Sequence, residues 1–233
     1  MTRAVLVHGL YHQPRHFDPV AAGLRAAGVD VVAPELHRGS LAADTAAVQR
    51  AVDRLAEAPL VLGHSYGGSV ITGLRGVARL VFLAAFVPDA GESAAGLGGA
   101  SARLRSAVEA QDDGSTRLDP NRAVDALYAD CPEHLAAWAT GLLRPQAAGC
   151  GRGVPERQSW KRTPSVYVVC GQDRAIDPAL QRVMAARCGS VREWPTGHSP
   201  FVGRPGLVVD LVLELLGAPD PPGRASPGRT STR

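Results

Sequence analysis

The amino-acid sequence predicts an α/β fold: a mostly parallel, doubly wound sheet with a helical lid inserted late in the sheet. Three observations predict it. Six short apolar runs rich in β-branched residues have the composition of strands buried on both faces. Longer segments with apolar residues at helical spacing separate these runs, and such alternation builds a parallel sheet covered on both sides. The alternation is interrupted once, over residues 92–160, where helical patches follow one another with no convincing strand.

The elements run in this order. AVLV at 4–7 is followed by a helical pattern over 17–27 and by VDVVA at 29–33. A helical pattern over 41–56 leads to LVLG, which begins at Leu60, and the segment 69–76 reads as a short helix. LVFLAA begins at Leu80. In the interruption, 102–110, 121–129 and 132–143 carry helical spacing between turns bearing Gly and Pro. SVYVVC from Ser165, a helix over 178–188, SVREW from Ser190 and a helix over 205–216 complete the pattern. Residues 1–91 and 161–216 are therefore expected to form the core. Residues 92–160 are expected to form a lid above the strand ends, where the neighbouring loops emerge. Residues 217–233, Pro-, Gly-, Ser- and Arg-rich without periodicity, are expected to be a disordered tail.

Charge and composition exclude several classes of function. The net charge of +3 comes from 25 basic residues dispersed among 22 acidic ones, without the basic stripe of a nucleic-acid surface, so no nucleic-acid partner is expected. No apolar run approaches the roughly 18 residues that span a bilayer. The N-terminal residues show neither a basic leader nor a small-residue cleavage site, so the expectation is no membrane partner and a cytoplasmic location. Cys131, Cys150, Cys170 and Cys188 lack CxxC spacing and read as reduced thiols, with Cys170 in the core. Nothing in the sequence signals an oligomeric state.

The chemistry concentrates in LVLGHSYGGSVI, residues 60–71. Gly63-His64-Ser65-Tyr66-Gly67 is a G-x-S-x-G pattern, short enough that its setting must decide its meaning in a chain with 26 glycines. The setting is a strand end followed by a helix start. Gly63, Gly67 and Gly68 allow a tight reversal that exposes the Ser65 hydroxyl at the carboxyl end of the sheet. A serine hydroxyl needs a base, and the base an orienting acid. His198, in PTGHSPF, follows the SVREW run; Asp173, in VVCGQDRAIDP, follows SVYVVC. Asp89, after LVFLAA, stays open as the acid, whereas Asp177 before Pro178 reads as a helix N-cap. An oxyanion needs N–H donors, and the expected ones are Tyr66 and, in the loop after the first strand, Leu10. Tyr11, His12, Phe86 and Trp138 are the candidate substrate contacts. Packing is expected of His64 and Trp160, a hydrogen bond within the oxyanion loop of His8, and surface positions of His16, His37 and His134.

Together VLVHG, GHSYGG, FVPDAGES, SVYVVCGQDRAIDP and GHSPF resemble the α/β-hydrolase superfamily, nearest its small esterase-like branch of methylesterases, hydroxynitrile lyases and bacterial relatives. The resemblance runs from Ala4 to about Leu216 and is weakest across the lid. It implies a sheet lacking the superfamily's first two strands, a triad of Ser65, His198 and Asp173, no metal and no organic cofactor. It implies a small-molecule ester or related acyl substrate, cleaved through an acyl-enzyme. The branch also implies two alternatives on the same scaffold. One is a hydroxynitrile-lyase-like reaction, for which the only lysine, Lys161, is poorly placed; the other is ligand binding without hydrolysis. The loop LYHQPRHF departs from the branch in lacking the tryptophan often found there, which affects the shape of the acyl pocket.

Overall fold

In the computed structural model, which describes residues 3–217, strands and helices alternate as the periodicity requires. β1 (Arg3–Val7) leads through a 3-10 turn at Pro14–Phe17 into α1 (Asp18–Ala26) and β2 (Asp30–Val32). α2 (Leu41–Asp53), β3 (Leu60–His64), α3 (Gly67–Thr72) and β4 (Arg79–Leu83) follow. After an insertion come β8 (Ser165–Cys170), α7 (Pro178–Ala185), β9 (Ser190–Trp194), α8 (Pro200–Gly203) and α9 (Pro205–Gly217). The six strands form one sheet in the order β2-β1-β3-β4-β8-β9, every neighbouring pair parallel. Of the expected tail, Gly217 closes α9 and residues 218–233 lie outside the described residues.

The period of two along each strand assigns side chains to two layers. Ala4 and Leu6 of β1, Leu60 and Leu62 of β3, and Val166 and Val168 of β8 pack with α1 and α9 through Val20, Leu24, Val208, Leu211 and Val212. Val5 and Val7, Val61, and Tyr167 and Val169 face the other way, onto Val48 and Val52 of α2, Val70 and Ile71 of α3 and Met184 of α7. Full burial of each Val, Leu, Ile or Met among them stabilises the fold by about 1.5–3 kcal/mol. β9 departs from the buried pattern because it is an edge: Val191 is 46% exposed, and Arg192 and Glu193 form ion pairs with Glu214 and Arg182. Charged side chains on an edge strand discourage pairing with another chain. Asp177 caps α7 by accepting from Ala179 N at 2.8 Å, with Pro178 in the first turn.

The insertion between β4 and β8 is not purely helical. α4 (Ala102–Ala107), α5 (Pro120–Leu127) and α6 (Glu133–Gly141) occupy the three helical patches, but β5 (Val108–Ala110), β6 (Ser115–Leu118) and β7 (Gln146–Ala147) form a small antiparallel sheet beside them. The helix expected over 102–110 stops at Ala107, where the chain turns into β5. β5 and β6 close around Gln111–Gly114, whose Gly114 has φ +79°. Strands of two to four residues carry too few alternations to register as a period. No helix among the described residues is long and apolar enough to cross a membrane.

Candidate active site

The strand order reverses between β1 and β3, and loops leaving the carboxyl ends there diverge to open a crevice. Ser65 leaves β3 in this crevice with φ +55°, a left-handed conformation that an L residue holds only when its surroundings enforce it. The enforcement is backbone packing. A Cβ at Gly67 would lie 2.6 Å from Val7 O, and one at Gly68 would lie 2.3 Å from Phe86 O. Ser65 N donates to Leu83 O at 3.2 Å, while Phe86 N and Gly68 N donate to Ser65 O at 3.1 and 3.0 Å. The serine is thus raised on a turn wedged between β1 and the segment after β4.

The structure brings His198 and Asp173 together: His198 Nδ1 lies 2.7 Å from Asp173 Oδ2, both side chains buried. With the carboxylate accepting, Nδ1 holds the proton and Nε2 is left as an acceptor. Asp173 is further held by Ala175 N and Ile176 N, donating to Oδ1 at 2.6 and 2.9 Å, and by Gln181 Nε2, donating to Oδ2 at 2.7 Å. Gln181 belongs to no motif in the sequence. It lies buried on α7, and its Oε1 accepts from Cys170 N at 2.9 Å, so the same amide ties the end of β8 to the carboxylate. Its only sequence signal is a polar residue on the helix face that turns toward the sheet. Asp89, the rival acid, is half-exposed and paired with Lys161, whereas the carboxylate on His198 Nδ1 is that of Asp173.

The loop after β1 is ordered by imidazoles. His8 Nδ1 lies 2.9 Å from Gly9 O and His12 Nδ1 lies 3.0 Å from Leu10 O. Carbonyl oxygens only accept, so both rings carry Nδ1–H. Burial keeps them neutral: it depresses His8 to about 3 and His12 well below its ordinary value, the nearby His16 and His64 adding to the effect on His12. His64 packs under the turn, its Nε2 donating to His198 O at 3.0 Å. Tyr11, with φ +63°, contacts Thr116 through its hydroxyl at 3.0 Å. His16 corrects the expectation of a surface position. It is fully buried, with Nε2 on Ala139 O at 3.0 Å, and burial depresses it to about 4. His37 and His134 are exposed as expected. Despite these clustered rings, no group of three His, Cys, Asp or Glu among the described residues is arranged to hold a metal.

A cavity of about 160 Å³ joins these parts. Ser65, His198, Leu10, Tyr66, Tyr11, His12 and Phe86 line it with small and aliphatic residues, among them Ala94, Ala100, Leu104, Leu127 and Ile176. Of the candidate contacts, only Trp138 lies elsewhere: it packs against His16 with ring centroids 6.2 Å apart, because its face of α6 turns to the core. Trp160 packs as expected, its Nε1 donating to Pro88 O at 3.1 Å. Among the described residues, the cavity lining contains no Lys, Arg, Asp or Glu. A larger groove of about 400 Å³, between α2 and residues 154–157, has no serine, cysteine or histidine among the described residues that line it.

The carbendazim hydrolyzing esterase of Nocardioides sp. (strain SG-4G) is 36% identical, over 92% of this chain and 100% of its own length. Alpha/beta hydrolase nvfD of Aspergillus novofumigatus (strain IBT 16806) is 27% identical, over 91% of this chain and 96% of its own. The solved structure of a pyrethroid hydrolase from Sphingobium faniae JZ-2 shares the fold, with a TM-score of 0.82 at 22% identity, covering 94% of this chain and 98% of that one. The model of the alpha/beta hydrolase family matches residues 4–211, and the chain therefore belongs to that family and is a hydrolase.

Proposed function

We propose that the protein is a serine esterase that cleaves a compact, neutral, largely apolar ester through an acyl-enzyme, with Ser65 as nucleophile, His198 as base and Asp173 as its orienting partner. The observation that carries this reading is the 2.7 Å contact from His198 Nδ1 to Asp173 Oδ2, made by a histidine that shares one cavity with Ser65. His198 Nε2 takes the Ser65 proton as Oγ attacks the acyl carbon. The N–H groups of Leu10 and Tyr66 receive the oxyanion, a contribution of several kcal/mol to the transition state. The imidazolium then protonates the departing alkoxide, and a water deprotonated by the same nitrogen releases the acid and restores Ser65.

The substrate class follows from the lining. With no cation, the cavity offers nothing to pair with a carboxylate; with no anion, nothing to pair with an ammonium. Apolar surface and a few hydrogen-bonding groups select neutral molecules of matching size. Relatives named for hydrolysing carbendazim and pyrethroids are in keeping with this reading. Residues 92–160 act as the lid, contributing Ala94, Leu104 and Leu127 to the roof. The absence of a cation in the lining also counts against a lyase, which needs a positive group aimed at its leaving group. A fluorophosphonate probe followed by peptide mapping tests the nucleophile. Labelling is expected at Ser65, and Ser65→Ala should lower kcat on p-nitrophenyl butyrate by about a million-fold. A labelled residue other than Ser65, or an active Ser65→Ala variant, refutes the assignment.

A further inference from the structure

The turn after α5 touches two loops of the site at once, although neither of its polar residues lines the cavity. Tyr128 is fully buried, with its hydroxyl 2.9 Å from His12 Nε2. Because His12 carries its proton on Nδ1, facing Leu10 O, its Nε2 accepts and the Tyr128 hydroxyl donates. Two residues on, Asp130 Oδ2 accepts from Gly197 N at 2.6 Å, next to His198. The approach is close enough that a Cβ at Gly197 would lie 2.3 Å from Asp130 Oδ1. Cys131 N donates to Tyr128 O at 2.9 Å and closes the turn. A third tie comes from farther along the insertion, where Arg144 N donates to Tyr11 O at 2.8 Å.

We propose that Tyr128 and Asp130 are positioning residues through which the inserted segment holds the oxyanion loop, by way of His12, and the His198 loop, by way of Gly197. The proposal rests on the reading of Leu10 and His198 given above. The oxyanion loop needs holding because Tyr11 sits at φ +63°, and a left-handed L residue relaxes once its restraints go. The Leu10 carbonyl, just before Tyr11, is one of those restraints and is gripped by the ring that Tyr128 orients. Without the Tyr128 hydroxyl, His12 Nε2 is a buried acceptor with no donor, and the ring is free to reorient or exchange tautomer. Without the Asp130 carboxylate, Gly197 N loses its acceptor and the backbone carrying His198 loosens. Both losses act on the geometry of the transition state rather than on substrate contact, so they appear in kcat and spare KM.

The test compares Tyr128→Phe, Asp130→Ala, Asp130→Asn and Ser65→Ala in the full chain, with p-nitrophenyl butyrate as substrate and active sites counted by phosphonate titration. A trifluoromethyl ketone, which adds to the nucleophile and forms an oxyanion, reports the oxyanion hole directly. Tyr128→Phe is expected to lower kcat about tenfold with KM within about twofold, and to weaken the ketone by the same factor. Asp130→Ala is expected to lower kcat by a similar factor, and Asp130→Asn, which keeps an acceptor oxygen, to recover most of it. The proposal is overturned if Tyr128→Phe leaves kcat within about twofold of wild type. A rise in KM alone also overturns it, as does an Asp130→Asn variant as slow as Asp130→Ala. An active Ser65→Ala protein overturns instead the reading on which the proposal stands.

Discussion

Replacing Asp173 by Asn separates the two acids that the sequence leaves in contention. Asp173 accepts four hydrogen bonds: two backbone N–H groups on Oδ1, and Gln181 Nε2 and His198 Nδ1 on Oδ2. An Asn side chain can keep its oxygen toward Ala175 and Ile176. Its NH2 then faces two donors where the carboxylate had accepted from both. His198 relieves the clash by moving its proton to Nε2, so that Nδ1 accepts; that tautomer has no lone pair for the Ser65 proton. The expected loss in kcat is about 10³–10⁴, or about 4–5.5 kcal/mol of transition-state stabilisation. Gln181 adds to the damage, since it cannot turn its oxygen to the new NH2 without abandoning Cys170 N. The assay is steady-state hydrolysis of p-nitrophenyl butyrate, with folding checked by circular dichroism. Asp89→Asn, which alters the surface pair with Lys161 and the turn bond from Ala90 N but nothing that contacts His198 or Ser65, is expected to leave kcat within about twofold. A folded Asp173→Asn enzyme that loses less than about tenfold, or an Asp89→Asn enzyme that loses more, refutes the tautomer argument.

Two predictions concern the scaffold. Gly68→Ala drives a methyl against the Phe86 carbonyl, a backbone group fixed by the turn at Ser65, and is expected to destabilise by about 1–3 kcal/mol or more; an unchanged melting temperature contradicts the close approach. Acid is expected to unfold the protein through its buried imidazoles. Burial holds His16 at about 4 and His8 at about 3 in the folded state, against an ordinary 6.5 in the unfolded chain, and His12 and His64 shift the same way. Between these values the unfolded chain binds protons that the folded one does not. The stability is therefore fully present above pH 6.5 and falls as pH drops through the window, by about 3 kcal/mol for His16 alone by pH 4. Melting temperatures measured from pH 7.5 to 4.5 should decline below 6.5; a flat profile shows that these rings are not neutral and buried.

Much of the site was legible because its parts obey local rules. Ser65 sits where a strand must reverse into a helix through glycines, and the positions of Asp173 and His198 follow from counting strands. The Asp177 cap was readable from a single Asp-Pro pair, and the structure has it. What escaped was whatever depends on packing across distant segments. His16 looks like a surface residue in an Arg- and Pro-bearing loop, yet α6, more than a hundred residues later, covers it and supplies Ala139 O. Trp138 has the composition of a pocket wall, but the rotation of α6 sends it to the core. Gln181 and Tyr128 have no motif at all; each matters because a partner from another element arrives within 3 Å.

The sequence by itself determined the class of fold, the order of strands and helices in its core, and that helices cover both faces of the main sheet. Those follow from periodicity, propensity and the handedness of parallel crossovers, which are properties of contiguous residues. Only the tertiary structure decided which carboxylate meets His198, that the inserted segment carries a small sheet of its own, and that its turn at Tyr128 reaches the loops of the site. These are distances between segments far apart in the chain, set by how helices rotate as they pack, and side-chain spacing along a single segment does not encode them.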